Sequence, residues 1–148
     1  MSVLKCYLAG DISPDRWRLQ VMKQCQDCQI EWLSPVDNVS YSHQSLLRFH
    51  RKNRGFHICD RLKIDRADII FAYLKEGSPS VFSGTSWELG YGYANRKHTV
   101  LVLDMKPSKA CLYELVRRMA DACYSSLEDG IDHLREMALE MSYLPKEE

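Results

Sequence analysis

The stretch ADIIFAYL, residues 67–74, does most to limit the folds open to this chain. Apart from Asp68 it is apolar without alternation, so a strand made from it must be covered on both faces, as in a parallel sheet flanked by helices. A strand with one wet face would alternate apolar and polar residues instead. The rest of the chain agrees, since short apolar runs alternate with longer amphipathic stretches. Strands are predicted at 3–9 (VLKCYLA), 29–35 (QIEWLSP), 67–74, 98–104 (HTVLVLD) and 122–127 (ACYSSL). Helices are predicted over 14–28, with Trp17, Val21 and Cys25 near one face, and over 55–66, about 86–96, about 109–121 and 128–141. Residues 36 to about 53 are polar and poorly periodic and read as a long loop, of a length that often carries function.

Five strands separated by helices predict a doubly wound α/β fold, Rossmann- or flavodoxin-like, with a five-stranded parallel sheet and helices on both faces. Its ligand site is expected beyond the carboxyl ends of the strands. A length of 148 residues with 45% hydrophobic residues suits one domain over 1–148 with a single core. Twenty basic and twenty acidic side chains balance, and no like-charge run suggests a nucleic-acid polymer or a membrane surface as partner. The opening MSVLKCYLAGD is too short in apolar residues for a signal peptide, and no stretch approaches the roughly 20 apolar residues of a span. A cytoplasmic location is expected. The six cysteines, at 6, 25, 28, 59, 111 and 123, do not follow framework spacings and read as free thiols. Cys25 and Cys28 form a CxxC pair without a second pair at zinc-site distance, so no metal is expected. No phosphate-binding glycine fingerprint occurs, and no cofactor is expected.

The loop 75–84 (KEGSPSVFSG) and the helix after it lie where such a sheet gathers ligands, and one carboxylate, Glu88, sits in SGTSWELGYGYANRK (83–97). Thr85-Ser86-Trp87-Glu88 matches a capping box, in which Glu88 would satisfy the helix's own backbone donors. The positive end of the helix dipole would equally hold Glu88 ionised as a nucleophile. Local pattern leaves both readings open. Trp87, Tyr91 and Ala94 fall at helical spacing and read as core.

CYLAG (6–10), DRLKIDRADIIFAYL (60–74) and GTSWELGYGYANRKHTVLVL (84–103) together resemble the nucleoside 2-deoxyribosyltransferase family, over most of residues 3–104. The resemblance implies that Glu88 is a nucleophile, that Asp60 is the acid assisting the leaving base, and that Tyr7 orients the carboxylate. It matches Asp68 to a further recurrent aspartate. Gly10 and Gly84 would let backbone approach the substrate closely, with Ser83 beside it. The implied partners are a 2'-deoxynucleoside and a free nucleobase, and the implied assembly is a dimer-based homo-oligomer, up to a hexamer, with shared sites. The implied role is base exchange in nucleoside salvage.

The sequence also departs from the family pattern. Phe82 stands where transferases usually carry an aspartate six residues before the nucleophile, with Ser80 and Ser83 nearby as substitutes. The related deoxynucleoside 5'-monophosphate N-glycosidases place a serine near that position to meet a phosphate. ACLYELVRRMADACYSSLEDG (110–130) has no clear equivalent of the Asn-Leu-Met segment that many transferases donate to a neighbour; Tyr113 and Glu114 lie nearby. His43, His50 and His57 read as surface or structural groups. Three readings remain: a deoxyribosyltransferase, a hydrolase on the same scaffold, and a non-catalytic nucleotide-binding module.

Overall fold

The five apolar runs form one sheet. Strands β1 (Leu4–Gly10), β2 (Ile30–Leu33), β3 (Ile69–Lys75), β4 (His98–Asp104) and β5 (Ala122–Tyr124) lie in the order β2-β1-β3-β4-β5, every pairing parallel. A computed structural model describes residues 3–10, 16–34, 56–77 and 84–143, apart from the side chains of 56–59. The helices are α1 (Arg16–Gln24), α2 (Phe56–Arg66), α3 (Gly84–Ala94), the short α4 (Pro107–Ala110) and α5 (Glu114–Arg118) joined by a 3-10 turn (Cys111–Tyr113), and α6 (Leu127–Tyr143). This is the doubly wound α/β architecture that the sequence predicts. The predicted loop 36–53, residues 78–83, and His43 and His50 lie outside the described residues, as does the side chain of His57.

Alternation along β1 divides the core. Cys6 and Leu8 meet Trp17, Val21 and Cys25 of α1 and Leu127, Ile131 and Leu134 of α6 on one face. Tyr7 and Ala9 meet Ile64 of α2 and Leu89 of α3 on the other. β3 is the strand that must be dry on both sides, and Ile69, Ile70, Phe71, Ala72 and Leu74 are each at most 1% exposed. Burying each of its large side chains contributes roughly 1.5–3 kcal/mol, which makes this strand the hydrophobic centre of the molecule. No helix among the described residues is long and apolar enough to cross a membrane.

The predicted helix 109–121 is instead broken into α4, the 3-10 turn and α5. Its residues packed on the core are Ala110, Tyr113, Val116, Met119 and Ala120, the first four of them three apart rather than 3.6. That spacing keeps one face down only if the chain tightens toward three residues per turn, and Tyr113 takes φ −105 and ψ 23 at the join.

Helix α3 lies very close to the sheet. Its buried face is Thr85, Glu88, Leu89 and Gly92, not the larger Trp87 and Tyr91. Trp87 is 49% exposed and stacks on Tyr91 at 5.2 Å, and Ala94 is exposed, which corrects the expectation that these two are core; Tyr91 is half-buried and packs against the core as expected. A Cβ at Gly92 would drive into Ile70 Cγ1 of β3, so the glycine sets the depth at which the helix, and Glu88 with it, rides on the sheet. Gly92→Ala is expected to lower stability by about 1–3 kcal/mol through this overpacking, although alanine is the better helix former by about 1 kcal/mol. Urea unfolding with an unchanged m-value checks it; equal or higher stability would show that α3 does not depend on this close seat.

Candidate active site

In a parallel sheet each crossover helix starts at the carboxyl edge of the strands. Arg18 is the third residue of α1, Asp60 the fifth of α2 and Glu88 the fifth of α3, so all three lie near that edge. Tyr7 reaches them from β1, next to the β1/β3 boundary where the strand order reverses. Doubly wound sheets place their ligands at such a switch point. The anchor of α2 is Lys63, whose Nζ donates to Ser34 O at 2.7 Å just past the end of β2.

Glu88 is 9% exposed, Asp60 6% and Tyr7 fully buried. Because α3 begins at Gly84, Thr85 lies inside the helix and is itself buried, and Glu88 faces the sheet rather than the helix start. The capping-box reading therefore does not describe this carboxyl. Burial first, then the neighbouring Asp60 carboxyl, pushes Glu88 from 4.5 up to about 8, against opposing pulls from the Tyr7 hydroxyl and the Arg18 guanidinium. Desolvation thus outweighs the ionising effect expected of the helix dipole. Burial, and then Glu88 and Asp60, likewise raise Tyr7 well above the ordinary phenol range, so it stays neutral. Its hydroxyl lies near Glu88 but completes no hydrogen bond among the described residues. An orphaned buried donor costs about 1–3 kcal/mol, and such groups in native proteins call for an explanation.

The structure does not bring all the expected residues together. Asp68 is exposed and lies at the amino edge, where its Oδ2 accepts the Lys5 amide at 2.8 Å; it is a strand-end tie, remote from Glu88 in the fold. Gly10 does sit at the carboxyl edge of β1, but what comes close to it belongs to the protein. A Cβ there would lie 2.6 Å from Trp17 Cζ2 and 2.9 Å from Tyr73 O. Gly84 opens α3, is exposed, and a Cβ there would meet nothing within 4 Å among the described residues. Ser83, Ser80 and Phe82 lie outside the described residues.

Sequence reasoning passed over Arg18. The guanidinium is 1% exposed, donates from Nε and Nη2 to Leu8 O at 3.3 and 3.2 Å and from Nη2 to Gly10 O at 3.0 Å, and lies 4.4 Å from the Trp17 ring centre. A usable signal existed: Arg18 stands three residues before Val21 and seven before Cys25, on the stripe that buries α1. The carboxyl edge also holds a Tyr73 to Asp104 hydrogen bond of 2.6 Å, with Trp17 packed 5.2 Å from the Tyr73 ring.

A buried carboxyl pair with a phenol at the switch point of a 2-1-3-4-5 sheet defines a class of α/β protein with an acid-lined site. The family model for nucleoside 2-deoxyribosyltransferase matches residues 6–138, and the chain belongs to that family. Among solved structures it is similar to the 2-deoxyribosyltransferase of Bacillus psychrosaccharolyticus, with 19% identity, 84% of this chain and 88% of that one covered, and a TM-score of 0.51. It is also similar to the CMP N-glycosidase BcmB of Clostridium botulinum, with 17% identity, coverage of 90% and 98%, and a TM-score of 0.55. Both likenesses are of fold. No curated protein sequence matches the chain significantly.

The raised Glu88 value has a thermodynamic consequence. Between about pH 4.5 and 8 the folded protein holds a proton at Glu88 that the unfolded chain has released, so stability falls as pH rises through this window. Glu88→Gln is expected to abolish that part of the slope and to gain a few kcal/mol over the parent at pH 8. Urea titrations at pH 5 and pH 8 measure both; parallel losses in parent and variant would mean that Glu88 titrates normally.

Proposed function

We propose that this protein is a nucleoside 2-deoxyribosyltransferase that exchanges the base of 2'-deoxynucleosides through a covalent deoxyribosyl ester of Glu88. The observation that carries the reading is the burial of Glu88 with Asp60 and Tyr7 at the switch point. Breaking the bond between the anomeric carbon and the base nitrogen builds positive charge on the sugar, and a carboxylate beneath that carbon can trap it as an ester, as in a retaining glycosidase. One Glu88 oxygen bonds to the anomeric carbon as the bond to the base breaks. The electron pair leaves on the base nitrogen, and Asp60 supplies a proton to the base. In the second half a nitrogen of the acceptor base attacks the same carbon, the ester bond breaks, Glu88 regains its electron pair, and Asp60 takes the proton of the incoming base. The unsatisfied Tyr7 hydroxyl is a donor held ready for Glu88 once it ionises.

This chemistry uses no metal or cofactor. By family resemblance the site is completed by a neighbouring subunit of a homo-oligomer, in line with the exposure of Leu112 and Leu115, 69% and 75%, on the 3-10 turn and α5. The second reading, hydrolysis of a deoxynucleoside 5'-monophosphate, draws on Phe82 in place of the usual aspartate and on the serines around it.

Incubating the protein with 2'-deoxyinosine, with and without adenine or cytosine, and in parallel with deoxynucleoside 5'-monophosphates, separates the readings by chromatography. A new deoxynucleoside that appears only with acceptor base is the expected result. Free base from a monophosphate without exchange would make it a hydrolase, and no reaction in any tube would leave a binding module. Folded Glu88→Ala is expected to lose at least about a thousandfold of activity, roughly 4 kcal/mol of barrier. Activity in the parent should rise toward pH 8, because Glu88 must be ionised in the free enzyme to attack. Tyr7→Phe should be more stable by about 1 kcal/mol, since it removes an orphaned hydroxyl, yet slower by tenfold or more. A Tyr7→Phe protein both less stable and fully active would reverse the assignment of that hydroxyl.

A further inference from the structure

Away from the acid site, His98 at the start of β4 and His133 on α6 place their Nε2 atoms 2.9 Å apart. The ring planes differ by 9° and the ring centres lie 5.2 Å apart, so the imidazoles meet tip to tip in one plane, each Nε2 aimed at the other. Two bare nitrogens would repel there, and so would two N–H groups; the contact requires one proton between them. The outer nitrogens give the chain a direction. Tyr124 Oη of β5 lies 2.7 Å from His133 Nδ1. Asp121 Oδ2, which accepts from Thr99 N and Oγ1 at 2.9 and 3.2 Å, lies 3.6 Å from His98 Nδ1. With the pair uncharged, Tyr124 donates to His133 Nδ1, His133 Nε2 donates to His98 Nε2, and His98 Nδ1–H faces the Asp121 carboxylate. The reverse order would turn a bare Nδ1 toward that carboxylate. One added proton is taken without moving a ring: it enters at His133 Nδ1, the shared proton passes to His98 Nε2, the Tyr124 hydroxyl turns to accept, and the charge rests on His98 beside Asp121. The His98 side chain is 31% exposed, so solvent supplies that proton. The next proton has no place, because both Nε2 atoms would then carry hydrogen across 2.9 Å.

We propose that His98 and His133 form a one-proton latch that ties α6 to β4 and β5 and comes undone when acid puts a second charge on the pair. The latch stands apart from the reaction proposed above. Burial and then His98 hold His133 below the ordinary imidazole value of 6.5, against Glu136 and Glu140 of its own helix. As pH falls through 6.5 the unfolded chain therefore binds a proton at this residue that the folded chain resists, and stability is lost toward acid, opposite in sense to the effect of Glu88. The other charges around the pair have their own engagements. Asp68 of the β3 edge is held on Lys5 N at 2.8 Å, and Lys97 donates to Asp65 O at 2.7 Å. On the α1 side Arg135 grips Asp27 at 2.6 and 2.8 Å, and that grip outlasts the latch because it lowers Asp27 to about 2. The amino half of α6 is seated by burial of Leu127, Ile131 and Leu134, and a Cβ at Gly130 would lie 2.5 Å from Val102 Cγ2. Opening the latch thus loosens the helix beyond His133, on its β5 side, rather than unfolding it.

The test is nitrogen NMR on the whole protein labelled at the histidine rings, followed from neutral pH downward, with amide hydrogen exchange in parallel. A direct coupling between two Nε2 nuclei is expected near neutral pH, and the two rings should take up charge in steps about one pH unit or more apart. Across the lower step the coupling should vanish. Exchange at the amides of 134–141, corrected for its intrinsic pH dependence, should then quicken about tenfold while β3 stays protected. In His133→Gln the remaining His98 should titrate in one step, and the acid rise in exchange should be gone. Two rings that titrate together, or no coupling at any pH, overturns the proposal. So does unchanged exchange across the lower step, which would make the pair a bystander, and so does an acid rise that persists in His133→Gln, which would assign the loosening to other groups. If His133→Gln does not fold, the coupling, the two steps and the exchange of the parent decide alone, since none needs a substitution. None needs turnover either, so a protein that exchanges no base would sink the proposed reaction and leave the latch to be judged by its own signals.

Discussion

An all-parallel sheet has two unlike edges, and this molecule is organised by that constraint. Each crossover must return to the same end, so the amino termini of α1, α2 and α3 all gather at the carboxyl edge and their carboxyl termini at the other. The amino edge is closed by satisfied polar ties. Lys5 N donates to Asp68 and Thr99 N to Asp121, while Thr99 Oγ1 donates to Met119 O. His98 and His133 share a 2.9 Å contact between their Nε2 atoms, and the other ring nitrogen of His133 meets the Tyr124 hydroxyl at 2.7 Å. At the carboxyl edge lie two buried carboxyls, a buried cation and a phenol without a completed hydrogen bond. Stability is concentrated at one end and chemical potential at the other.

The fold was legible because the strands are apolar on both faces, and in a chain of this length only a sheet sandwiched between helices supplies two dry sides. β4 begins and ends where its sequence predicts, at His98 and Asp104. Legibility failed where packing overrode pattern. The segment 107–118 follows a three-residue spacing that a search for 3.6 periodicity does not register. In α3 helical spacing put Trp87 and Ala94 inside along with Tyr91, and only Tyr91 packs against the core. The helix turns its small residues and its one acid toward the sheet because only Gly92 allows it to settle onto Ile70.

The same override explains what could be read of the site. Tyr7, Asp60 and Glu88 were singled out because of their resemblance to a family, and the fold brings all three to one place. Their separation in sequence means that no local pattern would have joined them. Asp68 was carried over by the same route and falls on the opposite edge, because eight residues along α2 and into β3 carry the chain from one end of the sheet to the other. Arg18 was missed because an arginine in a helix that also carries Arg16 and Lys23 reads as solvated. Its place on the buried stripe of α1 was the available signal, and the hydrogen bonds to Leu8 O and Gly10 O show what the side chain does there.

On the proposed reading, the high value of Glu88 is part of how the site works. A carboxylate left well solvated would attack weakly and would be equally content before and after the sugar becomes cationic. Glu88 is ionised only against the resistance of burial and of Asp60, so its charge is poorly stabilised until positive charge appears on the anomeric carbon. The interaction is then stronger in the transition state than in the ground state, which is the condition for it to accelerate the reaction. The Arg18 guanidinium, held on Leu8 O and Gly10 O, lowers the Glu88 value without cancelling the effect of burial.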